Sequence, residues 1–197
     1  RFLLRWQNAS PERRKRDEGG ALDVVEQLQD FETAAGAWES ALLPSRIADY
    51  RPSMLDDLCF AGEVVWGRFS RRAGDGAVSA SRATLSRSAP ISLGLREDLP
   101  WLLGDLSSDQ EGPAGAAAEV LAFLTQRGAS FLQEIVSGTR RLPSDVENAL
   151  WQLAAAGLVT TDGFSAVRGL VDGTVQRVRR HPRTRRRSAR RLPTSRW

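Results

Sequence analysis

Apolar residues recur at helical spacing along most of the chain, most clearly between 115 and 165. Three short segments there each place apolar groups on one face, which predicts three amphipathic helices. The first ends at Arg127-Gly128, a cation followed by a glycine, as helix C-termini commonly do. Ser144, with Glu147 three residues later, predicts a capping box at the start of the third helix.

A β-type run follows the third helix directly. Residues 158–161 read Leu-Val-Thr-Thr, and Asp162-Gly163 after them is a pair typical of a hairpin turn. Three helices followed by a hairpin predict a winged helix-turn-helix unit, in which the hairpin is the wing. We therefore expect a mainly α protein with small β-wings, an α+β fold.

The N-terminal half shows a related order. A helix is expected over 53–60, followed by a strand over 63–69 that pairs with a returning strand over 89–95. A loop rich in glycine, serine and alanine separates the two strands. A short helix over 97–103 is expected to turn Trp101 inward. Earlier helices are expected over 1–7, 21–30 and 31–43.

The two halves share a short pattern. LxxLxxAGxV begins at Leu55 and recurs 95 residues later at Leu150, each time as a helix that ends at Ala-Gly and turns into a strand. The repetition predicts two winged-helix units in tandem. We place the first, with its helical N-terminal part and long loop, at 1–106, the second at 107–172, and a basic tail at 173–197.

The net charge of +4 hides two parts of opposite sign. The tail carries ten arginines and no acid, which leaves 18 basic against 24 acidic residues over 1–172. Such a tail could contact phosphates through counterion release, or it could be a disordered linker, which its scarcity of apolar residues favours. We expect the linker.

Groups for catalysis are scarce. His181, the only histidine, lies in the arginine-rich tail, Cys59 lies between two apolar residues, and no phosphate-binding loop motif is present. No catalytic residue, metal site or cofactor is therefore predicted for this segment. The sequence contains no run of 18 apolar residues, so no membrane span is expected. A single cysteine fits a reducing cytoplasm. The chain begins at Arg1 rather than Met, so we expect a piece of a longer protein.

Nucleic-acid binding has better support, because the third helix and the wing of a winged helix commonly contact DNA. Asp145 and Glu147 would repel phosphate, so a scaffold or oligomerisation role stays open, as does a merely solvated first loop. The candidate DNA-binding residues flank the first loop, the third helix and the second wing: Arg68, Arg71, Arg72, Arg82, Arg87, Arg140, Arg141, Asn148, Gln152, Thr160, Thr161 and Arg168.

Several long strings resemble the C-terminal region of the bacterial large helicase-related family, Lhr. They include RFLLRWQ, LQDFETAAGAWESALLPSRIADY, LDDLCFAGEVVWGRF, LREDLPWLL, LPSDVENALWQLAAAGLVTTDGFSAVRGL and LPTSRW. The resemblance implies tandem winged-helix modules, a likeness to a family of bacterial DNA glycosylases, and a role in oligomerisation. It also implies a parent that unwinds DNA from 3′ to 5′ with ATP and Mg, acts in DNA repair, and lies in the cytoplasm with the nucleoid.

The motor motifs of that family are absent from this sequence, and no position matches a glycosylase catalytic acid. We therefore expect an accessory segment of an Lhr-type DNA helicase whose partners are DNA, other modules of the same helicase and another copy of itself, without a membrane. Two alternatives stay open. One is part of a DNA glycosylase module completed by missing sequence, and the other is a free-standing winged-helix transcription regulator.

Overall fold

The computed structural model describes residues 2–69, 88–104, 112–169, 171 and 195–197. We number its helices α1 to α9 and its strands β1 to β3. The helices are α1 (Phe2–Trp6), α2 (Asp17–Leu28), α3 (35–46), α4 (Pro52–Phe60), α5 (Leu99–Leu103), α6 (Ala116–Arg127), α7 (Leu132–Thr139), α8 (Pro143–Ala155) and α9 (165–169). The strands are β1 (Thr33–Ala34), β2 (Val64–Gly67) and β3 (Pro90–Leu95). No helix in these ranges is long and apolar enough to cross a membrane.

The first unit is a winged helix. Helices α2, α3 and α4 pack on a three-stranded antiparallel sheet of order β1-β3-β2, in which Val64 lies opposite Leu95 and Thr33 opposite Ile91. The predicted pairing of the strands near 63–69 and 89–95 is confirmed. The predicted α+β class, mostly helical with a small sheet, is confirmed as well.

Helix α3 is less regular than the predicted helix over 31–43. The chain forms β1 first, and then α3 contains a π-helical turn at Trp38–Leu42 before it ends at Arg46. Trp38 is fully buried and its indole Nε1 donates to the carbonyl of Ile91 at 3.1 Å. This bond ties the helix to the central strand of the sheet.

The repeated pattern has a structural counterpart at the end of α4 and of α8. Gly62 and Gly157 both take a positive φ, at 78° and 71°. After each glycine, the next amide donates back to a leucine carbonyl, Glu63 to Leu58 at 3.1 Å and Leu158 to Leu153 at 2.9 Å. Both helices therefore end in the same glycine turn, which reverses the chain without steric cost.

The second unit contains the three predicted helices, α6, α7 and α8. The capping box predicted at Ser144 is wrong, because α8 begins one residue earlier at Pro143 and no side chain caps it. A proline tolerates that position since it has no amide hydrogen to satisfy. Instead, the amide of Phe131 donates to Glu134 Oε2 at 2.6 Å at the start of α7.

The predicted second wing is wrong. After α8 the chain over 158–163 is irregular and forms no strand, and α9 begins where the hairpin should return. The physical reason is that Thr160 and Thr161 find hydrogen-bond partners in the first unit. Thr160 Oγ1 bonds to the carbonyl of Trp66 at 2.5 Å, which occupies the edge of β2.

The last three residues are packed, although they belong to the tail that we expected to be disordered. Ser130 and Trp197 exchange two backbone hydrogen bonds of 3.0 Å. The indole of Trp197, 7% exposed, meets that of Trp151 edge to face at 4.9 Å between ring centroids. The rest of the tail, 173–194, and the predicted unit boundary near 106 lie outside the described residues.

The tryptophans divide between core and surface. Trp38, Trp66 and Trp151 are buried. Trp101 was expected to turn inward, and that prediction is wrong because α5 lies on the sheet through Leu102, leaving Trp101 76% exposed. Trp6 is also largely exposed on α1.

Candidate nucleic-acid interface

Helix α4 occupies the position from which a winged helix commonly enters the major groove. Its exposed side chains include Ser53, Asp57 and Phe60, and the helix itself carries no basic residue. A carboxylate on the exposed face repels the phosphates on either side of the groove. Helix α4 is therefore poorly suited to enter DNA.

Arg168, a candidate DNA contact, lies over the start of α4 instead of facing solvent. Its Nε and Nη2 donate to the two oxygens of Glu39 at 2.7 and 2.8 Å, and its Nη1 donates to Asp56 Oδ2 at 2.9 Å. A weaker bond of 3.4 Å joins Nη2 to the carbonyl of Pro52. The hydrogen bond with Glu39 is the main cause that raises the pKa of Arg168.

Tyr50 completes this cluster. Its hydroxyl donates to Glu39 Oε1 at 2.8 Å, and burial, followed by the charge of Glu39, raises the pKa of Tyr50 well above its usual range. We call Arg168, Glu39, Asp56 and Tyr50 the Arg168 clasp. It joins α9 of the second unit to α3 and α4 of the first, so Arg168 is committed to holding the protein together.

The acidic side of the clasp was not predicted from the sequence. Glu39 and Arg168 are separated by 129 residues, and no local pattern links them. Only the packing of α9 against the first unit brings their side chains together. Both carboxylates accept hydrogen bonds from Arg168.

The two threonines of the expected wing are also used internally. Thr161 is buried, accepts from Trp66 Nε1 at 3.2 Å and donates to the carbonyl of Gly163 at 2.7 Å. Trp66 is fully buried and packs edge to face on Phe164 at 6.4 Å. Thr160 and Thr161 therefore contribute hydrogen bonds to the contact between the units.

Arg68 lies at the same contact, at the end of β2. It is half-buried, its Nε lies 3.4 Å from Glu32 Oε1, and its Nη1 donates at 3.5 Å to the carbonyl of Ala155. The carbonyl oxygen of Arg68 would be only 2.4 Å from a Cβ placed on Gly157. Arg68 is therefore a structural residue at the contact between the two units.

The other four candidates near the first wing, Arg71, Arg72, Arg82 and Arg87, lie outside the described residues. They belong to the stretch 70–87 that joins β2 to β3, which is the position of the wing in this topology. Their part in DNA binding stays a prediction.

The remaining candidates surround α8 of the second unit. Arg140 is exposed and takes a left-handed conformation at φ 54°. Asn148 and Gln152 are one turn apart, so they share one face of the helix with Ser144. This face of α8 is the most accessible polar helix surface among the predicted contacts.

Arg141 is less available than Arg140. Its Nε and Nη2 donate to the two oxygens of Glu119 at 2.8 and 2.6 Å. The hydrogen bond from Arg141 lowers the pKa of Glu119, and the same bond raises the pKa of Arg141. Both groups are exposed, so water and salt weaken the pair, and DNA phosphate could compete for the guanidinium.

Comparison with known proteins places this architecture in a family. Residues 1–83 match a family described as the winged-helix domain of the large helicase-related protein, Lhr. The chain is similar to a Mycolicibacterium smegmatis protein named "Lhr helicase/ probable uracil glycosylase", with 32% identity over 176 residues that cover 88% of this chain and 11% of that protein. It is also similar to the "Lhr helicase/uracil glycosylase" of Escherichia coli, with 28% identity over 157 residues that cover 77% of this chain and 9% of that protein. The chain thus spans about a tenth of the length of these relatives.

Proposed function

Residues 1–83 belong to the winged-helix family of the large helicase-related proteins, and from that premise we propose that this chain is an accessory DNA-binding and oligomerisation segment of an Lhr-type helicase. The parent helicase would use ATP and Mg to unwind DNA from 3′ to 5′ during repair. The segment itself would hold DNA, or other modules, beside the motor.

One observation directs the DNA-binding part of this proposal away from α4: the helix carries no basic residue, and its exposed face includes Asp57. Arg168 spans Glu39 and Asp56 on one side of α4. DNA contacts are therefore expected from the wing after β2 and from Arg140 and Arg141 just before α8, rather than from α4. This distribution suits a segment that contacts the phosphate backbone and does not recognise a particular base sequence.

The test is fluorescence anisotropy with single-stranded and duplex DNA across a salt series. We expect the whole chain to bind with an affinity that falls steeply with salt, because arginine contacts release counterions. Replacing Arg71, Arg72, Arg82 and Arg87 with alanine should weaken binding at least about 10-fold and flatten the salt dependence. Arg68 is left unchanged in this variant because its loss would disturb the contact between units.

A control variant separates charge from position. Arg51, Arg96 and Arg127 are exposed and lie on other parts of the surface. Their replacement with alanine should weaken binding much less per charge removed. Absence of DNA binding at low salt would contradict the proposal, and equal losses per charge in the two variants would contradict the assignment to the wing.

A further inference from the structure

Arg46, at the end of α3, is a buried charge without a counter-ion among the described residues. It is only 8% exposed, and an arginine remains protonated in proteins. Its Nη1 donates to the carbonyl of Leu42 at 3.2 Å and to Ser45 Oγ at 3.0 Å, while its Nε is buried without a partner. Burial lowers the pKa of Arg46, and no carboxylate in the described ranges opposes that effect.

A basic segment lies directly against this residue. The amide of Lys15 donates to the carbonyl of Arg46 at 2.8 Å, and the amide of Ala48 donates to the carbonyl of Lys15 at 2.9 Å. Lys15 thereby forms a parallel bridge with Ile47. A Cβ on Gly20 would lie 2.8 Å from that of Lys15, so the segment is seated closely on the start of α2.

The arginines on either side of Lys15 extend from a backbone that hydrogen bonds hold against residues 46–48. Arg13, Arg14 and Arg16 are exposed, and no ion pair engages them among the described residues. Lys15 differs from them, because its Nζ is paired with Asp23 at 2.6 Å. We call Arg13, Arg14, Arg16 and Arg46 the Arg46 patch.

The acids nearby are fewer and partly engaged. Glu12 lies 3.8 Å from Arg5, and Asp17 Oδ1 accepts the amide of Gly20 at 3.1 Å. Glu18 is exposed in the first turn of α2. Asp49 is exposed beside Ala48 on the neighbouring segment. Setting aside the pairs Lys15–Asp23 and Arg5–Glu12, four guanidinium groups stand against three carboxylates, so the local balance still favours an incoming anion.

We propose that the Arg46 patch is a phosphate-binding site for the backbone of single-stranded DNA. Exposed guanidinium groups match phosphate oxygens in charge and in donor geometry, and the row Arg13, Arg14 and Arg16 matches a polyanion rather than a lone ion. A phosphate at Arg46 would also relieve the cost of burying an unpaired cation. The proposal rests on the DNA-binding function above and adds a second contact surface. Arg13, Arg14 and Arg16 precede α3 in the sequence, whereas the wing follows it.

The first experiment compares two triple variants of equal charge. Replacement of Arg13, Arg14 and Arg16 with alanine should weaken binding of a 12-nucleotide single strand about 10-fold and lower the log–log salt slope by about 2. The matched control replaces Arg51, Arg96 and Arg127 and should leave both quantities nearly unchanged. Equal effects of the two variants would overturn the proposal, because they would show a general dependence on charge.

The second experiment examines Arg46 itself. Arg46→Met removes the charge and keeps most of the side-chain volume, so the variant should unfold at no lower temperature than the wild type and should gain less thermal stability from the 12-nucleotide strand. A variant that melts early yet keeps the full DNA-induced gain would show that Arg46 only caps α3, which would overturn its role as a ligand.

A third readout separates this proposal from the proposed function. Inorganic phosphate added to the wild-type protein should shift the Arg46 Nε–H resonance in a nitrogen-15 spectrum. A shift without DNA binding would refute the function and leave an anion site, whereas DNA binding that depends on the wing arginines alone would refute the patch and leave the function.

Discussion

Arg168 illustrates how a residue's surroundings decide its role. From the sequence it is a cation beside an expected wing, and in the structure it joins two carboxylates and a backbone carbonyl of the other unit. The guanidinium is suited to this because its five donors form a rigid fork. Loss of the side chain leaves two largely buried carboxylates beside each other without a cation.

We expect Arg168→Ala to lower the free energy of unfolding by about 2 kcal/mol, less than for a fully buried pair because water reaches part of the clasp. Denaturant unfolding followed by circular dichroism measures this change. The control is Arg127→Ala, an exposed arginine that has no ion pair among the described residues and should alter stability little. An unchanged midpoint for Arg168→Ala would show that the clasp contributes nothing.

Cys59 is predicted to be unreactive while the protein is folded. Burial, the main cause, raises the pKa of its thiol from 9.0 to about 12. The thiol is therefore neutral at pH 8, and the thiolate is the reactive form. A thiol reagent at pH 8 should label the native protein slowly and the denaturant-unfolded protein fast. Rapid labelling of the native protein would contradict the burial.

The same shift predicts a dependence of stability on pH. Because the folded pKa is the higher one, the stabilisation is complete below pH 9 and is lost as the pH rises from there towards 12. The free energy of unfolding should therefore fall between pH 9 and pH 10.5 more steeply in the wild type than in Cys59→Ala. Parallel curves for the two proteins would argue against the shift.

At the scale of single elements, the glycine turns after α4 and α8 offer a matched pair. Both glycines have a positive φ, but a Cβ on Gly62 would meet only the flexible Arg96 side chain at 3.6 Å. A Cβ on Gly157 would meet the backbone carbonyl of Arg68 at 2.4 Å. A side chain would therefore strain the backbone at both sites, but only at Gly157 would it also clash with another part of the backbone.

Gly62→Ala should therefore cost about 1 kcal/mol through backbone strain alone, and Gly157→Ala should cost about 1–3 kcal/mol more because the two units must separate. Thermal or denaturant unfolding of both variants gives the difference. If the two substitutions cost the same, the close approach of the units at Arg68 would be wrong.

The C-terminal segment is a second element whose contribution can be measured. Trp197 packs on Trp151, and the backbone at Ser130 pairs with it. Trp197→Ala should destabilise the protein by about 3–5 kcal/mol, the usual cost of emptying a large buried aromatic site. Trp101→Ala is the control, because that side chain is exposed, and it should have almost no effect. A small effect of both would mean that the C-terminal residues do not hold the second unit.

The helices were largely predictable, because each buries one face and shows it in the spacing of its apolar residues. The pairing of β2 with β3 was predictable for the same reason, since 63–69 and 89–95 are short runs on either side of a loop, whereas β1 falls within the segment predicted as a helix over 31–43. The second wing was not predictable from local signals. Thr160 and Thr161 have the composition of a strand, but their hydrogen bonds go to Trp66 in the other unit.

At the scale of the whole molecule, residues 2–69 and 112–169 share one hydrophobic core and one polar clasp. Buried residues of both units belong to a single cluster, which includes Trp66 and Phe164. The candidate DNA site was therefore only partly predictable: Arg140 and Asn148 remain exposed, whereas Arg168 and Thr161 are taken up by the contact between units. Sequence separation hides such contacts, since neither partner carries a local signal for the other.

The central claim is that this clasped pair of units binds DNA through its arginine-bearing surfaces and not through α4. Hydrogen–deuterium exchange of the whole chain, with and without single-stranded DNA, tests it most directly. We expect DNA to slow exchange in peptides that cover Arg13–Arg16, residues 70–87 and the start of α8, while peptides from α4 stay unchanged. Protection centred on α4, or no protection in any peptide at saturating DNA, would contradict the account.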